Sequence, residues 1–73
     1  MSLHYSPLGR EYKGWTVITN TSEQDGGYAA RCTLRNADGK RHQIDLPGPF
    51  VSGIEADRAA DAAGVAWIDG LDA

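Results

Sequence analysis

The sequence has a single cysteine, Cys32, so the chain contains no internal disulfide and lacks the disulfide framework of a secreted mini-protein. No apolar stretch approaches the roughly 20 residues that a membrane helix needs. No positively charged segment followed by an apolar run opens the sequence, so we expect no signal peptide. Together these absences predict a cytoplasmic protein with no membrane partner.

The 73 residues, 41% hydrophobic and 23% charged, have the composition of one ordinary folded domain. A chain of this length buries only about 60% of the surface that its unfolded form exposes. Dimerisation is a common remedy for the marginal stability that follows. We therefore expect one domain, for which self-association as a homodimer is a candidate interaction.

Three segments have the pattern of strands, and turn residues separate them. Residues 13–21 are rich in β-branched and aromatic side chains, and residues 28–35 alternate between apolar and polar. Residues 24–27 and 36–39 end in glycine and predict tight turns. Proline and glycine at residues 47–49 predict the end of the third strand.

The second turn predicts a register between the second and third strands. If residues 37–39 form a three-residue loop, the apolar residues of both strands fall on one face, as a buried side requires. A four-residue loop would mix apolar and polar residues on each face. The favoured register pairs Leu34 with His42, Cys32 with Ile44, Ala30 with Leu46, Arg31 with Asp45, Thr33 with Gln43 and Arg35 with Arg41.

A helix is predicted after the third strand. Ser52 and Glu55 have the spacing of a capping box, and Gly70 is a candidate C-terminal stop. One apolar stripe recurs at helical spacing. Gly64 lies within this helix and weakens it by roughly 1 kcal/mol against alanine, so either another backbone or side chain approaches closely there or the helix bends. The stripe consists of Ala56, Ala59, Ala60, Ala63 and Trp67.

These elements predict an α+β fold in which a three-stranded antiparallel sheet of two hairpins packs on one C-terminal helix, in the order βββα. Residues 1–11 are interpreted as a flexible N-terminal arm, because Ser6-Pro7 and Gly9 interrupt any periodicity. Residues 12–71 are interpreted as the single domain.

The residues that most often carry catalysis are sparse. Cys32 and His42 are predicted to point inward and are too few for a zinc site, while His4 lies in the arm. A cysteine nucleophile would need exposure and an orienting partner. Asp57 and Asp61 lie one helical turn apart, but such pairs are usually solvated surface charge. We therefore predict no enzymatic activity, no metal and no cofactor.

Charge is the feature that points to an interaction. The net charge is −3, yet four cations are concentrated in the second predicted hairpin while acidic residues dominate the helix. Arg35 and Arg41 are predicted to lie directly opposite each other, which usually destabilises a sheet. An anion or acidic partner between them would relieve this repulsion. The candidate contact surface, called the basic strip below, consists of Arg31, Arg35, Lys40 and Arg41.

The ending Ala63-Gly64-Val65-Ala66-Trp67-Ile68-Asp69, after three strands, resembles a family of small bacterial βββα proteins whose helix carries spaced alanines and a Trp-Ile-Asp-like ending. This resemblance implies a fold and no activity. The βββα order also looks like a double-stranded-RNA-binding domain without its first helix, although residues 53–58 are acidic where that family has lysines. Leu46-Pro47-Gly48 before an alanine-rich helix looks like antitoxins of the HicB type, which bind a protein toxin.

The sequence thus favours a small non-enzymatic protein-interaction or regulatory domain, which binds an acidic protein partner or another copy of itself. The alternative is a nucleic-acid-binding module that uses the basic second hairpin. Nucleic acid is disfavoured, because the predicted outer sheet face has no aromatic side chain on which bases stack.

Overall fold

The computed structural model describes residues 9–71, which form four strands and one helix. The strands are β1 (Arg10–Tyr12), β2 (Trp15–Gln24), β3 (Gly27–Asn36) and β4 (Arg41–Phe50), and the helix is α1 (Gly53–Leu71). One antiparallel sheet has the strand order β1-β2-β3-β4, and α1 packs on one side of it. The α+β class with an antiparallel sheet and a C-terminal helix is therefore confirmed.

The prediction of three strands is wrong, because β1 adds a fourth. Arg10 pairs with Val17 and Tyr12 with Trp15, across a two-residue turn in which Lys13 has a φ of 50°. A strand of three residues is too short to produce an alternating pattern, so Arg10 and Glu11 were assigned to the arm. Residues 1–8 of the predicted arm lie outside the described residues.

The predicted register between β3 and β4 is confirmed at every pair from Ala30–Leu46 to Arg35–Arg41. The amide of Asn36 donates to the carbonyl of Lys40 at 3.0 Å, and the amide of Gly39 donates to the carbonyl of Asn36 at 3.1 Å. Gly39 has a φ of 85°, the left-handed conformation that this three-residue loop requires. The local turn chemistry therefore sets the register of the whole hairpin.

The end of β4 differs from the prediction. The strand continues through residues 47–49, and Phe50 pairs with Tyr28. Between this pair and Ala30–Leu46, β3 advances by two residues (30 − 28) and β4 by four (50 − 46), so β4 bulges. Prolines are tolerated here because β4 is the edge strand, where an amide can be lost without breaking the ladder.

The core lies between α1 and the two central strands. Val17 of β2 and Leu34 of β3 face the helix at the point where Gly64 crosses the sheet. A methyl group on Gly64 would stand only 2.6 Å from the sulfur of Cys32. The sequence allowed either a close approach or a helix bend at Gly64, and the structure shows the close approach. The buried core residues are Val17, Ala30, Cys32, Leu34, Ala56, Ala60 and Ile68.

The helix begins as predicted but does not stop at Gly70. The hydroxyl of Ser52 accepts a hydrogen bond from the amide of Glu55 at 3.2 Å, which is the serine half of the capping box. The helical conformation continues through Gly70 to Leu71. The alanine stripe faces the sheet, with Ala56 and Ala60 completely buried.

Candidate interaction surface

The sheet has an inner face that α1 covers and an outer face that no described element covers. Cys32 and Leu34 point inward and are completely buried, so their neighbours Arg31, Thr33 and Arg35 point outward. The described part of the chain is a slab of 36 × 34 × 15 Å, the shape of one sheet and one helix layer. One broad face of the sheet is therefore left uncovered by residues 9–71.

The outer face carries Arg35 and Arg41 in direct opposition, as predicted. Asn36 and Lys40 form a hydrogen-bonded pair, so the next pair along the ladder, Arg35 and Arg41, is of the non-hydrogen-bonded type. The Cα atoms of such pairs are only about 4.5 Å apart. Within residues 9–71, neither guanidinium group makes an ion pair or a side-chain hydrogen bond. The structure thus brings two unpaired cations together.

The other two members of the basic strip are placed differently. Arg31 donates to Asp45 at 2.8 Å, so its charge is neutralised within the sheet. Lys40 is exposed at the end of the 36–40 turn, next to Arg41. The strip is therefore a pair of uncompensated arginines on the outer face, flanked by an exposed lysine and by an arginine that is already paired.

A shallow, open depression of about 540 Å³ lies at the other end of the outer face. The side chain of Gln24 reaches across β3 and donates to the carbonyl of Pro47 at 3.0 Å, which closes one side of it. Ala29, Arg31 and Asp45 are among the residues that line it. The depression thus shares Arg31 with the basic strip.

Three of the four acidic side chains of α1 contact the β1–β2 hairpin. Asp57 accepts a hydrogen bond from Thr19, and Asp61 accepts two from the guanidinium of Arg10 at 3.0 and 2.7 Å. Asp57 and Asp61 therefore each bind a different strand instead of forming a paired acid site. The helix is a weaker acidic partner for the basic strip of another copy than its composition indicates.

Asp69 forms the third of these contacts. It accepts hydrogen bonds from the hydroxyl of Tyr12 at 2.9 Å and from the ammonium of Lys13 at 2.8 Å. The hydrogen bond from Lys13, followed by that from Tyr12, lowers the pKa of Asp69. The same contact with Asp69 raises the pKa of Tyr12. Sequence reasoning missed this cluster because it missed β1, whose one local signal is the Lys13-Gly14 turn.

Cys32 and His42 are placed on the inner face, as predicted. Cys32 is completely buried, and burial raises the pKa of its thiol, which is the opposite of what a nucleophile needs. His42 stacks on Trp67 with ring centroids 4.1 Å apart, and Trp15 meets Trp67 edge-on at 5.2 Å. Among residues 9–71, no group of three or more His, Cys, Asp or Glu side chains is arranged to hold a metal ion.

Comparisons with protein-family models, with curated proteins and with solved structures found no match to this chain. Within residues 9–71, no helix has both the length and the apolar character that crossing a membrane requires. The geometry of the surface is therefore the basis on which a function can be proposed.

Proposed function

We propose that this domain acts by binding and not by catalysis, and that its contact surface is the outer face of the sheet around Arg35 and Arg41. The observation that carries the proposal is the direct opposition of these two arginines without an acidic side chain between them. Like charges in this position destabilise a sheet, so the pair is a local cost that a bound anion would remove.

The ligand that suits this pair is a carboxylate group. A planar guanidinium donates two parallel hydrogen bonds to a carboxylate, and two neighbouring arginines can share a pair of acidic side chains. Lys40 adds a third cation at the rim and favours encounter with an acidic segment. An acidic stretch of a protein, laid across β3 and β4, is therefore the partner that the surface fits best.

A nucleic acid fits the same surface less well. Tyr12 at the end of β1 and Trp15 at the start of β2 pack against the inner core cluster, as do Tyr28, Phe50 and Trp67. The outer face of the described residues thus lacks the rings on which unpaired bases stack.

The test is a double substitution of Arg35→Ser and Arg41→Ser, with Arg58→Ser on α1 as a control that removes an exposed arginine elsewhere. Fluorescence anisotropy measures the binding of a labelled peptide of alternating Glu and Ser residues, and of single- and double-stranded RNA, at low and high salt. We expect the double variant to bind the peptide at least about tenfold more weakly, since charged hydrogen bonds contribute about 1.5–3 kcal/mol each. The control should bind like the wild type.

Equal binding of the peptide by the double variant would exclude the strip as the contact surface. Tighter binding of RNA than of the peptide, falling steeply with salt, would replace this proposal with the nucleic-acid alternative. Because the substitutions remove a repulsion, we expect the free energy of unfolding to stay unchanged or rise by about 0.2–1 kcal/mol in a monomeric sample, which urea denaturation measures.

A further inference from the structure

The outer edge of β4 has backbone amides and carbonyls that no described strand pairs with. β4 is the last strand of the sheet, and β3 lies on one side of it only. The hydrogen-bonded pair Asn36–Lys40 fixes the alternation, so the backbone groups of His42 and Ile44 point to β3. The amides and carbonyls of the intervening residues Arg41, Gln43 and Asp45 consequently point to the free edge.

We propose that two copies of this chain pair antiparallel along this edge, with Gln43 opposite Gln43 of the second copy. Arg41 then lies opposite Asp45 of the second copy, and Asp45 opposite Arg41, so the two-fold axis creates two ion pairs. Three residue pairs exchange about six backbone hydrogen bonds in this register. The two sheets become one antiparallel sheet of eight described strands.

The charges select this register over its neighbours. Antiparallel pairing between outward-pointing residues permits shifts of two residues only. A shift in one direction places Arg41 opposite Gln43, and a shift in the other places it opposite Pro47, which has no amide to donate. Each shift loses both ion pairs. Pro47 and the bulge that follows it also limit the pairing to residues 41–45, since both are devices that protect sheet edges.

In the dimer, Arg41 and Asp45 both lie next to side chains of opposite charge. Across the joined outer faces the order of charges becomes Arg35, Arg41, then Asp45 and Arg31 of the second copy. Each Asp45 lies between its own Arg31, at 2.8 Å, and an arginine of the other chain. Arg41, which faces a like charge within its own sheet, gains an opposite charge on its other side.

The inner face supports the same arrangement. Gly64 of α1 lies over β2 and β3, so the inward side chains of β4 are only partly covered. His42, Ile44 and Leu46 remain half-buried at the margin of the core. In the proposed register His42 meets Ile44 of the second copy in a non-hydrogen-bonded pair, where side chains approach most closely. The paired edge is short, so we expect a concentration-dependent equilibrium and not an obligate dimer.

Charge-reversal variants test the proposed dimer, and mixing two of them distinguishes the loss of a dimer contact from misfolding. Arg41→Asp places two acids opposite each other at both ends of the pairing, and Asp45→Arg places two cations there. Each variant alone should dimerise at least about tenfold more weakly than the wild type in sedimentation velocity. An equimolar mixture of the two variants should form a heterodimer, which native mass spectrometry identifies by its mass, because every Asp then faces an Arg.

A disulfide trap provides the second measurement. Gln43→Cys places two thiols directly across the two-fold axis at a Cα separation of about 5.5 Å, within the range of a disulfide, so mild oxidation should cross-link the chains. Thr33→Cys, one strand further from the edge, is the control and should stay uncross-linked. A wild type that is monomeric at every concentration, or variants that neither weaken nor rescue association, would overturn the proposal. These readouts need no ligand, so they remain informative if the acidic partner proposed for the outer face is wrong.

Discussion

Asp69 joins the end of α1 to the β1–β2 hairpin through Tyr12 and Lys13. These hydrogen bonds lower the pKa of the carboxyl, so the folded state favours its ionised form. A carboxyl with a lowered pKa in the folded state stabilises the protein above its unfolded pKa, about 3.9 for aspartate, and loses this effect as the pH falls through the folded value. The attachment of the hairpin is therefore sensitive to acid.

We expect Asp69→Asn to lower the thermal midpoint at neutral pH and to have a smaller effect at about pH 2, because protonation of the wild-type carboxyl removes its charge as the pH falls. Thermal melts followed by circular dichroism at the two pH values measure the difference. Asp38→Asn, in the exposed 36–40 turn, is the matched control and should melt like the wild type at both. A deficit of the Asp69 variant that is equally large in acid would show that shape, and not charge, holds the contact.

α1 crosses the sheet at Gly64, and this position governs how closely the two layers pack. A methyl group there would lie 2.6 Å from the sulfur of Cys32 and 3.2 Å from a methyl carbon of Leu34. Gly70 lies on the same helix with nothing within 4 Å of the corresponding position. The two glycines thus have the same intrinsic helix propensity, but Gly64 is closely packed and Gly70 has open space around it.

We expect Gly64→Ala to reduce the free energy of unfolding by about 1–3 kcal/mol, because overpacking outweighs the gain of roughly 1 kcal/mol in helix propensity. Gly70→Ala should leave the stability unchanged or raise it by a fraction of that gain, since the helix end contributes little. Urea denaturation of both variants measures the contrast. Equal stabilisation by the two substitutions would mean that the helix can move away from the sheet at little cost.

The elements differ in how far the sequence predicted them. The β3–β4 hairpin was predicted pair by pair, because Gly39 and the alternation of residues 28–35 are local signals. The continuation of β4 beyond Pro47 was not predicted, since an edge position that tolerates proline depends on the strand order. β1 was missed because three residues give no alternating pattern, and because the side-chain partners of Arg10 and Tyr12 on α1 are 51 and 57 residues away.

The candidate surface was likewise predicted only in part. The opposition of Arg35 and Arg41 and the ion pair of Arg31 with Asp45 were predicted, since both depend only on the hairpin register. The capture of the helix carboxylates by the sheet was not predicted, because Asp57 and Asp61 meet Thr19 and Arg10 only after the layers pack. Sequence patterns thus identified cross-strand neighbours and missed contacts between layers.

At the scale of the whole molecule, burial increases from β1 towards β3. β3 has three buried residues, Ala30, Cys32 and Leu34, whereas β1 has none and is held by exposed side-chain contacts. Exposed ion pairs contribute little and weaken with salt. We therefore expect the centre of the sheet at β3 to be more stable than its edge at β1.

We expect the backbone amides of β3 to exchange with solvent at close to the rate of global unfolding, and those of β1 to exchange faster by local opening. Hydrogen–deuterium exchange followed by NMR measures both. Added salt should speed the exchange of Glu11 and Tyr12 and leave that of Cys32 nearly unchanged. Uniform protection of β1 and β3 would contradict this gradient and show that the whole sheet opens as one unit.

The contacts that hold β1 also set an order of events during synthesis. Arg10 and Tyr12 are translated before their partners Asp61 and Asp69, which follow 51 and 57 residues later in the chain. At a translation rate of about 5–20 residues per second, the second hairpin is synthesised about a second or more before the helix is complete. The side-chain contacts of β1 can therefore form only after α1 has been translated.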